Sequence, residues 1–139
     1  MTKRFYTLAG ALLAATALMV AQSGRTIQVD VIYTGSGMVD AGHKIYVALW
    51  RSPNMDGAPA DVQPLASKIG MVTFKNVEAS PAYVTTAYDP KGRWDAQSPP
   101  PSGSSLGMYG TPPNPDPITV EPGKPAKIKV TFADANKVP

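Results

Sequence analysis

The sequence predicts an all-β protein, an antiparallel two-sheet sandwich of about seven strands that follows an N-terminal export signal. Three observations carry that expectation. Short runs in which apolar and polar residues alternate with period two recur between residues 26 and 132. Gly, Pro, Asn and Asp punctuate them at short intervals. Beyond residue 23 no stretch has the 3.6-residue periodicity of an amphipathic helix.

The first 23 residues have the layout of a secretory signal peptide: Lys3 and Arg4, an apolar run from Leu8 to Ala21, then small residues ending at Ala21-Gln22-Ser23. The run is short for a bilayer span, which needs roughly 20 residues. Cleavage, a periplasmic or secreted location and no membrane span in the processed protein are therefore expected. No cysteine follows the run to be acylated, and none is present to form a disulfide, so stability must come from burial. Residues 24–139 suffice for one core, and a single domain is expected. The net charge of +3 falls to about +1 without Lys3 and Arg4, and the remaining lysines are scattered, so nucleic acid is not an expected partner.

The elements follow in order. Thr26–Thr34 places Ile27, Val29 and Val31 on one side and Gln28 and Asp30 on the other, a first strand ended by Gly35-Ser-Gly37. After the Asp40-Ala-Gly42 turn, Lys44–Trp50 is nearly continuous in apolar residues, as in a central strand. Residues 51–67 hold Pro53, Gly57, Pro59 and Pro64 and read as an irregular connection, with a helical turn near Ala60–Leu65. The stretch Gly70–Asp89 is the most regular: Val72, Phe74 and Val77, a polar corner at Ser80-Pro81, then Tyr83, Thr85 and Ala87 alternating with Val84, Thr86 and Tyr88. It reads as an antiparallel hairpin. Residues 89–117 contain eight of the chain's 15 prolines and read as a long loop. Pro117–Glu121 and Lys127–Phe132 are the last two strands, joined by Glu121-Pro-Gly-Lys124, whose Pro and Gly suit a type II turn. Lys127 and Lys129 share one face of the last strand, as on a solvated edge that resists aggregation, and Ala133–Pro139 reads as a polar tail.

The combination of Ile27-x-Val29-x-Val31, Ile45-Tyr-Val-Ala-Leu49, Gly70-x-Val72-x-Phe74-x-x-Val77, Ala82-Tyr83-Val84 leading to Tyr88-Asp89, and Gly107-Met-Tyr-Gly110 resembles the DUF2141 family of secreted bacterial proteins. The resemblance spans nearly all of residues 24–139 and implies a prealbumin-like or Ig-like sandwich, similar to carboxypeptidase-regulatory modules, with no established reaction. Members of that family commonly carry an Asp- and Asn-rich loop suited to a cation after the central strand. Here the corresponding loop is Asp89-Pro-Lys-Gly-Arg-Trp-Asp95, with Lys91 and Arg93 where oxygen ligands would be wanted, so no metal is expected.

Catalysis is poorly supplied. The one histidine, His43, sits beside a turn with neither a cysteine nor a second histidine to join it, so no enzymatic activity and no cofactor are expected. The long loop is the better candidate site. Tyr88, Trp94 and Tyr109 bring aromatic surface, with Met108 beside them; Asp89 and Asp95 bring acceptors, and Lys91 and Arg93 donors. That mixture suits a saccharide or a protein ligand at the cell envelope. In the competing reading Trp94 folds back to plug one end of the sandwich. A structural protomer, pairing through exposed edge strands into a homo-oligomer or a larger envelope assembly, is the alternative function.

Overall fold

The computed structural model describes residues 24–139; the expected signal peptide lies outside the described residues. Seven strands form two sheets: β1 (Ile27–Tyr33), β2 (Ile45–Trp50), β3 (Asp61–Leu65), β4 (Ile69–Phe74), β5 (Tyr83–Tyr88), β6 (Ser105–Met108) and β7 (Ala126–Phe132). One sheet has the order β4-β1-β7 and the other β3-β2-β5-β6. No helix among the described residues is long and apolar enough to cross a membrane.

Period-two burial builds the interior. Ile27, Val29 and Val31 on β1 are fully buried and face Ile45, Val47 and Val84 of the other sheet, while Val72, Phe74, Ile128, Val130 and Phe132 extend the same core. Each buried side chain of this size contributes about 1.5–3 kcal/mol. At one end the rings of Tyr33, Tyr88 and Phe132 pack at centroid distances of 4.9 and 5.0 Å.

Several expectations need correction. The Gly70–Asp89 stretch is not a hairpin, because β4 pairs with β1 and β5 with β2, and the corner between them carries the chain from one sheet to the other. Alternation reports which side of a strand is buried and leaves its partner open, and two inward rows facing across a core satisfy it as well as two sharing a face. Residues Ala60–Leu65 form no helical turn: Asp61–Leu65 is strand β3, an edge strand, where Pro64 is tolerated because an edge has one unpaired side. The 89–117 loop contains β6, again at a sheet edge. Pro117–Glu121 meets Ser80–Ala82 through one two-bond bridge, Ala82 with Ile118; the next amide, of Val120, donates to the Ser80 hydroxyl, which ends the ladder. Finally, the sandwich is not wholly antiparallel, since β1 and β7 run parallel.

The turn at Glu121–Lys124 has Gly123 at φ +73°, as a type II turn requires. The C-terminal segment is more than a tail. Its residues 136 and 138 exchange backbone hydrogen bonds with Gly103, Ser104 and Leu106, covering the free edge of β6.

Candidate ligand-binding face

Strand β2 alternates completely: Ile45, Val47 and Leu49 are buried, and Tyr46, Ala48 and Trp50 point outward, half-exposed. Strand register extends that outward row across the sheet. Tyr46 lies between Pro64 and Ala87, Ala48 between Val62 and Thr85, and Trp50 beside Tyr83. Strand β6 adds Leu106 next to Ala87 and Met108 next to Thr85. None of these side chains is charged. The outer face of the other sheet differs, with Asp30 between Met71 and Lys129 and Gln28 between Thr73 and Lys127.

The rings on this face are held in place. The Trp50 indole Nε1 donates to Thr85 Oγ1 at 2.8 Å. Thr85 is one strand over and two residues beyond Tyr83, the direct partner of Trp50, so the indole lies diagonally along β5 instead of standing off the sheet. Trp94 reaches the face from the loop: its ring packs edge-on against Tyr46, centroids 5.0 Å apart and planes at 80°, and its Nε1 donates to the Ser98 carbonyl at 2.8 Å. Both indole N–H groups are thus engaged within the chain, and the ring surfaces remain to meet a ligand.

Asp89 sets the path of the loop. It is 3% exposed, its Oδ1 accepts the Lys91 amide and its Oδ2 the Arg93 amide, each at 3.0 Å. Gly92 between them adopts φ +66°, and a Cβ there would stand 2.5 Å from the Gly42 carbonyl, so a glycine is needed for the loop to close on the Asp40–His43 turn. In that turn His43 Nδ1 lies 2.8 Å from Asp40 Oδ1, and this hydrogen bond holds the Asp40 carboxyl below its ordinary pKa. Between turn, loop and sheet lies an open recess of about 280 Å³ lined by Ala41, Gly42, Lys44, Tyr46, Asp89, Gly92 and Trp94.

Of the residues singled out in the sequence, Trp94 and Asp89 share this recess. Trp94 rests on the outside of the sheet, which corrects the reading that it plugs the sandwich end. Tyr88 is corrected as well: it is 1% exposed, its ring is in the core and its hydroxyl donates to the Met38 carbonyl, with burial raising its pKa. Asp89 spends its oxygens on loop amides, and Tyr109 packs half-buried against the core. Arg93 and Asp95 are exposed on the loop, where Asp95 accepts the Gln97 amide. Sequence reasoning missed Tyr46, Trp50 and Tyr83. The signal was present in the four-residue spacing of Tyr46 and Trp50 along one strand, which puts both rings on the same side.

No family model matches the chain, and no curated protein or solved structure matches it. The resemblance to the DUF2141 family is neither supported nor opposed by that result.

Proposed function

We propose that the protein is an exported, non-catalytic binding module that holds its ligand on the outer face of the four-stranded sheet, with Trp94 of the 89–117 loop completing the surface. The supporting observation is the gathering of Tyr46, Trp50, Tyr83 and Trp94 on one uncharged sheet face. Large rings that keep a polar handle while offering apolar area are the residues that carry recognition. The centre of the proposed site lies on β2 and β5, and the 89–117 loop contributes Trp94. Export rests on the N-terminal pattern, and membership of the DUF2141 family belongs to the same proposal.

Both tryptophans of the chain lie on this face, so the whole intrinsic tryptophan emission reports on it. Titration with soluble envelope polysaccharides and with envelope peptides should shift that emission and shield it from acrylamide quenching for at least one class. Emission that stays unchanged across both classes would defeat the proposal.

A second reading, a structural protomer, is favoured by one observation. Edge strand β4 carries Ile69 and Met71, 69% and 56% exposed, on the far side of the molecule from the aromatic face. Light scattering after size exclusion tests it: a defined multimer that dissociates on Met71→Lys supports assembly through β4, and a monomer at high concentration rejects it.

A further inference from the structure

Resting on the binding-module reading, we infer that the ligand of the aromatic face is an uncharged oligosaccharide or polysaccharide chain, laid flat along β2 from Tyr46 to Trp50. Four features of the face select this class. The first is extent. Tyr46 and Trp50 are four residues apart, about 13 Å along an extended strand, and the four strands span about 14 Å across. That is longer than one sugar ring, so a chain is required. It is also on the order of 200 Å², against about 800 Å² per partner in a standard protein interface.

The second feature is relief. Protein hot spots seat an anchor side chain in a desolvated pocket near the centre of the contact. Here the centre is Ala48 and Thr85, both small, and recesses lie towards its ends, one under Trp94 and another beside Trp50 and Arg51. A flat bed between aromatic rings accepts a pyranose ring, whose axial C–H groups form an apolar face while its hydroxyls point sideways.

The third feature is the state of the rings. Thr85 and the Ser98 carbonyl have taken both indole N–H groups, so stacking is what Trp50 and Trp94 have left to offer, and the rings lose little further freedom on binding. The fourth is charge and protrusion. With no charged side chain on the strand rows, nothing along the middle of the bed compensates a uronate or a sulfate, and the cation on this face, Lys44, stands at one end. A membrane surface would call for apolar side chains that stand out from the fold, and the large hydrophobic residues that do so, Met38, Ile69 and Met71, all lie elsewhere.

The hydroxyl rim of such a chain meets a polar group at the Tyr46 end of the bed. Lys44 stands in the recess beside Tyr46 and Trp94, while past Trp50 the Arg51 guanidinium lies 3.5 Å from Glu78 at the corner between the sheets. Lys44 supplies hydrogen-bond donors at the periphery while the stacking surface stays apolar, an arrangement suited to reading hydroxyl geometry at that chain end.

The test is native affinity electrophoresis of the processed chain, residues 24–139, in gels containing hydroxyethylcellulose, xylan, a soluble β-1,3-glucan or the acidic polysaccharide alginate, with a proline-rich peptide and anionic lipid vesicles tested alongside by tryptophan emission. The expected result is retardation in at least one neutral gel, weakened at least about tenfold by Trp50→Ala and by Tyr83→Ala and largely kept by Trp50→Phe. Unchanged far-UV dichroism shows that the variants fold, and should Trp50→Ala fail to fold, Tyr83→Ala and Trp50→Phe decide the matter. Retardation by alginate alone, or an emission shift with the peptide or the vesicles alone, would overturn the saccharide assignment and leave the binding module standing. Retardation untouched by Trp50→Ala and Tyr83→Ala would overturn it by placing the saccharide elsewhere. No response to any probe would overturn it together with the reading on which it rests.

Discussion

Asp134 joins four segments at the loop end of the sandwich. Its Oδ1 accepts the hydroxyl of Tyr33 at 2.6 Å and that of Ser105 at 2.7 Å, and its Oδ2 accepts the Ser36 amide at 3.0 Å. The segment that follows β7 is thereby tied to the ends of β1 and β6. These donors, the Tyr33 hydroxyl first among them, hold the carboxyl far below its ordinary pKa of 3.8. A depressed carboxylate stabilises the fold fully above that ordinary value, and its contribution is lost as pH falls below it. The melting temperature of the native chain should therefore drop steeply below about pH 4, and Asp134→Asn should flatten that dependence while costing about 1–3 kcal/mol at neutral pH. Equal acid sensitivity in the two proteins would place the effect elsewhere. The partner tyrosine gives the opposite sign. Burial, with the Asp134 hydrogen bond second, pushes Tyr33 up to about 12, so its contribution is intact below pH 10 and disappears as pH climbs from 10 towards 12. Tyrosinate absorbance should show two tyrosines, Tyr33 and Tyr88, ionising later than the rest, and Asp134→Asn should bring the Tyr33 step forward.

Strand β6 shows how an element can be dictated by a close approach that no local pattern announces. Gly107 faces inward between Thr86 and Phe132, and a Cβ there would fall 2.5 Å from the Thr86 hydroxyl oxygen and 2.4 Å from Phe132 Cβ. Gly107→Ala should cost about 1–3 kcal/mol in urea unfolding, because one sheet edge must move off the other. A variant as stable as the parent would mean that the sheets are not this close. The same strand marks where sequence reading stopped. Ile27, Val29 and Val31, or Ile128 and Val130, alternate over enough residues to fix both the existence and the inner side of β1 and β7. In β3 and β6 the alternation runs for only five and four residues and is interrupted by Pro64 and Gly107, so the turn-forming residues dominated. Pairing was hidden for another reason. Whether β5 joins β4 or β2 depends on the eight residues from Lys75 to Ala82, in which Val77 turns into the core and leads the chain across. In the candidate site the loop could be read because its composition is unusual. Tyr46 and Trp50 were not read as surface, because in β2 they extend an apolar run that also fits a strand buried on both sides.

At the scale of the whole molecule, one interior serves both sheets, and the two outer faces have separate tasks. Phe74, fully buried on β4, belongs to the three-stranded sheet whose outer face carries Asp30, Lys127 and Lys129. Both tryptophans belong to the opposite surface of the four-stranded sheet, on the far side of the core. With no disulfide to link the sheets, only shared apolar packing makes the aromatic face depend on what lies behind it. Two-state behaviour is the natural consequence for a domain of this size. Phe74→Ala should then cost about 3–5 kcal/mol, the penalty for emptying a buried aromatic site. The urea midpoint read from tryptophan emission should fall by the same amount as the midpoint read from far-UV dichroism, although the substitution lies in the other sheet. Were the sheets to unfold independently, dichroism would move and emission would not, and the rigidity attributed to the binding face could no longer come from the core beneath it.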